Sequence, residues 1–167
     1  MKQKDIQVTK TQTPVILSKA NELEFVGPPG VGKTFAGLAK IMVWLQESSN
    51  RTGFFVVSNR YATKYIERLI STAWSNLGRY HYTDKSFNLV NGSSLFLVSV
   101  HELNYEGLGG TDFGSFVIDA DVSEEQYAFA LVKTHKEGFV LKCTLGDEPY
   151  LLERTYLQTG NPYLKEI

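Results

Sequence analysis

Short unbroken runs of apolar residues alternate along the chain with stretches whose apolar positions fall three or four apart. That pattern predicts strands interleaved with helices and a largely parallel α/β sheet. Residues 22–26 form a first short strand that leads into Gly27-Pro28-Pro29-Gly30. From Thr34 the spacing turns helical through Leu38, Ile41, Met42 and Leu45, until Ser48-Ser49-Asn50 breaks it. The run Phe54-Phe55-Val56-Val57-Ser58 has no polar alternation, as expected of a strand buried on both faces. A second helix follows, with apolar positions Tyr65, Ile66, Leu69, Ile70, Ala73, Trp74 and Leu77, and Gly78 is placed to close it.

The period then changes. Phe87-Asn88-Leu89-Val90 and Leu95-Phe96-Leu97-Val98 read as an inserted β-hairpin, because Asn91-Gly92 supplies the positive φ angles of a tight turn. Residues 104–114, with four glycines, predict an irregular surface loop before the buried strand Ser115-Phe116-Val117-Ile118-Asp119. Ser123 and Gln126 have the spacing of a capping box and open a helix to about Thr134. Residues 138–144 give another strand, and residues 150–157 read as a helix ended by Gly160-Asn161-Pro162. The expected architecture is a mainly parallel sheet with helices on both faces.

A chain of 167 residues with 43% hydrophobic and 13% aromatic content is the size of a single domain, 1–167, whose core is expected over about 20–160. A net charge of -1 gives no overall basic field, so any nucleic-acid contact must be local. Residues 1–60 carry eight basic side chains against four acidic, and the remainder is acidic. Such asymmetry suits a subunit with unlike faces, and scattered solvated charges also produce it. The single cysteine, Cys143, excludes a disulfide within the chain and reads as a buried thiol. With no apolar leader after Met1 and no long apolar stretch, the expectation is a cytoplasmic protein with no membrane partner.

The chemistry begins at Gly27-Pro28-Pro29-Gly30-Val31-Gly32-Lys33-Thr34, which fits G-x-x-x-x-G-K-[ST] between a predicted strand and a predicted helix. That is the pattern of a P-loop NTPase binding ATP and Mg²⁺. The glycines let backbone N–H groups wrap a phosphate, Lys33 reaches the β- and γ-phosphates, and Thr34 ligates the metal. Asp119, at the end of its apolar strand, is the candidate second metal residue. ATPases of the additional-strand type usually place a glutamate directly after that aspartate to polarise water, and this chain has Ala120. Asp121, Glu124 and Glu125 are the nearby carboxylates, with Asp121 favoured for proximity. Arg60, after the second strand, is a candidate phosphate sensor or arginine finger, and Thr144 a residue that feels the γ-phosphate.

Other constellations fail. His81, His101 and His135 lie far apart without paired cysteines, so no zinc spacing exists. Trp44 and Trp74 read as core. Tyr61, Tyr65, Tyr80 and Tyr82, near Lys64, Arg68, Arg79 and Lys85, read first as a solvated helix face and second as a DNA contact.

The order of parts resembles the ATPase domain of the large terminase subunit of tailed bacteriophages. The resemblance is carried by the P-loop, Val57-Ser58-Asn59-Arg60, Asn91-Gly92-Ser93 with its following strand, Glu106-Gly107-Leu108 and the strand ending in Asp119. It implies an ATP-driven motor that packages double-stranded viral DNA, built as a homo-oligomeric ring. Portal, small terminase subunit or a separate nuclease chain would be its partners, in the cytoplasm of an infected host. By this resemblance Arg60 takes the place of the family's arginine and Thr144 that of its coupling motif. Departures are Ala120, a P-loop closer to hexameric AAA-type ATPases, and a chain that ends before a nuclease domain would begin. The competing readings are a nucleotide-binding assembly protein with weak or no hydrolysis and an AAA-type remodelling ATPase.

Overall fold

A computed structural model describes residues 6–157 and 165–166. The elements are α1 (Thr13–Leu17), β1 (Glu22–Gly27), α2 (Lys33–Glu47), β2 (Thr52–Val57), α3 (Arg60–Ala73), β3 (Gly78–His81), β4 (Ser86–Leu89), β5 (Ser94–Ser99), α4 (Tyr105–Leu108), β6 (Gly114–Asp119), α5 (Glu124–Val132), β7 (Val140–Leu145) and β8 (Tyr150–Arg154). A small separate ladder pairs β9 (Tyr156–Leu157) with β10 (Lys165–Glu166). No helix among the described residues is long and apolar enough to cross a membrane.

The eight strands β1 to β8 form one mixed sheet in the order β3-β4-β5-β2-β6-β7-β1-β8. From β5 through β1 every neighbouring pair is parallel, and the antiparallel strands β3, β4 and β8 lie outside that block. The unbroken apolar runs explain why the parallel block is central. Phe54 and Val56 face one way and Phe55 and Val57 the other, all buried, as a strand covered on both faces requires. On one face α1, α2 and α3 bury Val15, Leu38, Ile41, Leu45, Ile66 and Ile70 against Phe55, Val117 and Leu141. On the other, α4 and α5 bury Leu108, Phe129 and Ala130 against Phe54, Phe116 and Ile118.

α2 crosses the sheet at close range. An added Cβ on Gly37 would stand 2.6 Å from Val117 Cγ1 in β6, and one on Gly53 in β2 would stand 2.9 Å from Ile41 Cδ1. The helix that starts beyond β1 thus passes over β7 to reach β6 and β2. At its outer side the buried Lys40 donates from Nζ to the carbonyls of Ser18 (2.8 Å) and Ile16 (3.4 Å), holding the α1–β1 connection down. The expected capping box is present, with Ser123 Oγ accepting from Gln126 N and Gln126 Oε1 accepting from Ser123 N.

The structure corrects several expectations. Residues 150–154 are not helical but form β8, antiparallel to β1, with Tyr150 opposite Val26. The edge of β1 offers a ladder of hydrogen bonds there, which outweighs the helical propensity of Leu151, Leu152, Glu153 and Arg154. The helix expected in the remainder, 155–157, is absent too, and Gly160-Asn161-Pro162 lies outside the described residues. α3 ends at Ala73, and Gly78 opens β3 instead of closing the helix, with its backbone held against Asn88 by the β3–β4 ladder. The glycine-bearing segment 104–114 is not wholly irregular, since Asn104 caps α4 by accepting from Gly107 N at 2.8 Å. The packed structure also begins before residue 20, with Val15 fully buried beside α2.

Replacing Gly37 by alanine should cost about 1–3 kcal/mol through overpacking against Val117, despite the gain of up to about 1 kcal/mol in helix propensity. The check is a lower urea midpoint at unchanged slope. Burial, then the neighbouring Lys19, lowers the Lys40 ammonium from 10.5 to about 8. Because the folded chain disfavours the charged form, this penalty is fully present below pH 8 and is relieved as pH rises toward 10.5. The unfolding free energy of the parent relative to Lys40→Met should therefore rise across that window, by on the order of 1–3 kcal/mol.

Candidate functional site

Parallel strands deliver their carboxyl ends to one edge, so the segments leaving β1, β7, β6 and β2 meet there. In sheet order the glycine-rich loop follows β1, Gly146 follows β7, Asp119 ends β6, and Ser58 follows β2. The loop's conformation rests on glycine at two positions. Gly30 and Gly32 have φ of +84° and +88°, in the left-handed region where a side chain is strained. Gly32 is also the N-cap of α2 and has no side chain to cap it, so the first N–H groups of the fifteen-residue helix remain open at the loop. With the helix dipole they make an anion-binding end.

Lys33 folds back over the loop, its Nζ donating to the carbonyls of Gly27 at 2.6 Å and Pro28 at 3.0 Å. Thr34 Oγ1 donates to Asp119 Oδ2 at 2.6 Å, joining two residues 85 positions apart. A hydroxyl and a carboxylate that touch in this way are both hard oxygen donors of the kind Mg²⁺ takes alongside phosphate oxygens. Among the described residues no group of three or more His, Cys, Asp and Glu side chains converges. A cation at this edge would therefore draw on Thr34 and Asp119 together with oxygens of a bound ligand.

Two further residues brace the loop. Gln12, nearly buried, donates from Nε2 to the carbonyl of Gly32 at 3.1 Å and accepts from Thr9 N at 2.9 Å. Its amide occupies the space beside Gly32 where a Cβ would stand, so the segment before α1 is locked onto the loop. Nothing in the sequence marked Gln12 itself, a lone polar residue in a polar stretch, although Pro14, two residues on, is a helix-start signal. Cys143, in β7, points at the same place, its Sγ lying 3.7 Å from the carbonyl of Lys33. Burial, then the Asp119 carboxylate, pushes the Cys143 thiol well above its ordinary range. Gly146 N donates to the carbonyl of Gly27 at 3.1 Å and ties the exit of β7 to the start of the loop.

The structure therefore brings Gly27 to Thr34, Asp119, Gln12 and Cys143 together. It leaves others apart. Arg60 is the first residue of α3 and exposed, and among the described residues it has no hydrogen bond or ion pair to the loop. Asp121 is exposed beyond the end of β6, and Glu124 and Glu125 are exposed in the first turn of α5. Ala120 packs toward the α5-side core, so the position after Asp119 contributes a methyl group to packing. Thr144 pairs with Val26 at the carboxyl end of β7, and its buried hydroxyl has no partner among the described residues. Alternation along β7 from Cys143 puts Thr144 on the face away from α2, whereas Asp119 lies on the α2 face.

Compared with protein-family models, with curated proteins and with solved structures, the chain gives no match.

The loop's seating on Cys143 yields a measurement. Native Cys143 should react with a thiol reagent at pH 8 slower than the urea-unfolded chain by about 100-fold or more, since both burial and the retained proton oppose thiolate attack. Gln12→Ala should narrow that gap by loosening the loop.

Proposed function

We propose that this chain is a P-loop NTPase of the additional-strand class that binds and hydrolyses ATP with Mg²⁺, and that it serves as the ATPase motor of viral DNA packaging. The observation that carries the nucleotide reading is the Thr34–Asp119 hydrogen bond at the open end of the G-x-x-x-x-G-K-T loop. The sheet order supports the class: β7 lies between β1, which leads into the loop, and β6, which ends in Asp119. The packaging role rests on the resemblance to terminase large subunits alone.

In this reading the backbone of Gly27 to Gly32 and the first N–H groups of α2 cradle the phosphates, and Lys33 exchanges its two loop carbonyls for phosphate oxygens. Thr34 and Asp119 hold the metal. Bound Mg²⁺ supplies neutralisation of the charge that builds on the transferring phosphoryl group. Asp121 orients water in place of the missing glutamate, and Arg60 reaches the nucleotide of a neighbouring copy, while Thr144, turned to the other face of the sheet, takes no part. A ring of copies with double-stranded DNA in its channel is the assembly this requires, with portal, small terminase subunit or a separate nuclease chain as its partners.

A second reading has its own observation. Ala120 packs against the α5-side core and Asp121 stands exposed with no link to the loop among the described residues, an arrangement suited to a nucleotide-binding assembly protein that turns over slowly or not at all. There ATP stabilises an interface by mass action.

Phosphate release from ATP with Mg²⁺ decides between them. For the motor, turnover should rise with duplex DNA, vanish in Lys33→Ala and fall by about 100-fold or more in Asp121→Asn. Nucleotide-dependent thermal stabilisation without turnover, DNA present or absent, would leave the assembly protein.

A further inference from the structure

The outer face of α3 has no part in the fold. Thr63, Ile66 and Ile70 turn inward and are buried, while Arg60, Tyr61, Lys64, Tyr65 and Arg68 are exposed along the other side. Their spacing of three and four residues puts them in one stripe. Arg60, Lys64 and Arg68 follow at intervals of about 6 Å, so the stripe is about 12 Å long. Tyr61 and Tyr65 are 82% and 48% exposed, large apolar rings that the core does not use. Tyr82, 66% exposed, extends the patch: its ring meets Tyr80 edge-on at 4.8 Å, and Tyr80 packs into the α3-side core. Strand alternation sends Arg79 to the opposite face of the sheet, so it is not part of the stripe.

The stripe is chemically one-sided. Both ion pairs among the described residues belong to Arg51, which leaves Arg60, Lys64 and Arg68 without an acidic partner. The one acid of α3, Glu67, is half-buried and acts on Tyr80, whose phenol burial and then Glu67 push above its usual range. A solvated helix face ordinarily mixes both signs. Here guanidinium, ammonium and phenol groups all donate hydrogen bonds, on a chain whose net charge is -1. The complement is a surface made of acceptors at regular spacing, which is a phosphodiester backbone.

We infer that the outer face of α3, through Lys64 and Arg68 with Tyr61 and Tyr65, is the surface on which the protein holds double-stranded DNA. The surface is read from its own residues, and the choice of duplex rests on the packaging role proposed above. A convex helix face suits the backbone and groove of a duplex, whose major groove is about 12 Å wide, whereas single strands are held in concave grooves. The placement also links the two sites: Val57, three residues before α3, is the register partner of Asp119. A duplex on α3 therefore lies on an element that begins at the nucleotide edge.

The test compares Lys64→Gln/Arg68→Gln with Lys19→Gln/Lys136→Gln, which removes the same charge from exposed positions elsewhere. Binding of a short duplex and of one of its single strands is followed by fluorescence anisotropy over a salt series, with melting temperature and its shift by ATP recorded for each protein. The expected result is that the α3 variant melts like the parent, keeps its ATP shift, loses about tenfold in duplex affinity and has a salt slope shallower by about 2. The Lys19/Lys136 variant should stay within about twofold of the parent. Equal losses in both variants, no duplex binding by the parent, or tighter binding of the single strand would each overturn the inference. If ATP gives no shift in the parent but duplex binding still depends on Lys64 and Arg68, the nucleotide reading falls and the DNA surface stands.

Discussion

The site depends on one helix lying very close to the sheet. α2 leaves the glycine-rich loop beside β1, yet the side chain of its second residue, Thr34, must meet a carboxylate at the end of β6, with β7 between the two strands. That reach is possible because Gly37 presents no side chain to Val117 and Gly53 none to Ile41, so the helix axis can settle across three strands. A thicker contact at Gly37, one turn from Thr34, would lift the helix start and part Thr34 from Asp119. The loop, the anion-binding helix end and the metal-type oxygen pair are thus consequences of one packing distance.

Around this contact the molecule divides its labour by face. The α2 face carries the candidate site, since Asp119 and Cys143 both project toward the loop from the ends of their strands. The α5 face is packing, and Ala120 belongs to it. Gln12 shows how the loop is held from outside: the chain before the first strand returns to fill the gap that Gly32 leaves. Lys33 turns its ammonium onto two of the loop's own carbonyls, which holds its cation inside the loop.

Much of this was legible in the chain because it was written in strong periodic signals. Continuous runs such as residues 54–57 and 115–118 specify strands buried on both faces, and the inward and outward positions of α3 separate cleanly. The glycine motif announced its loop through residue types with few other uses. What escaped was set by partners distant in sequence. Residues 150–154 carry a composition equally suited to a helix, and only the free edge of β1 makes them a strand. Gln12 acquires meaning only through Gly32, and Gly78 through Asn88 on the neighbouring strand. The side of the sheet on which Thr144 falls follows from the register of β7 against β1, which no local pattern encodes.

The pairing of β1 with β7 also governs when the site comes into being. Val26 and Thr144 are neighbours in the sheet although most of the chain lies between them. During synthesis the loop emerges early, but the strand that seats it, and the thiol beneath Lys33, arrive near the end. Contacts so distant in sequence close slowly, because loop entropy must be overcome before they reward the chain. A nascent polypeptide halted before residue 140 would carry the complete glycine-rich motif and still lack the floor on which it stands, so in the nucleotide reading proposed above affinity is acquired as a late event of folding.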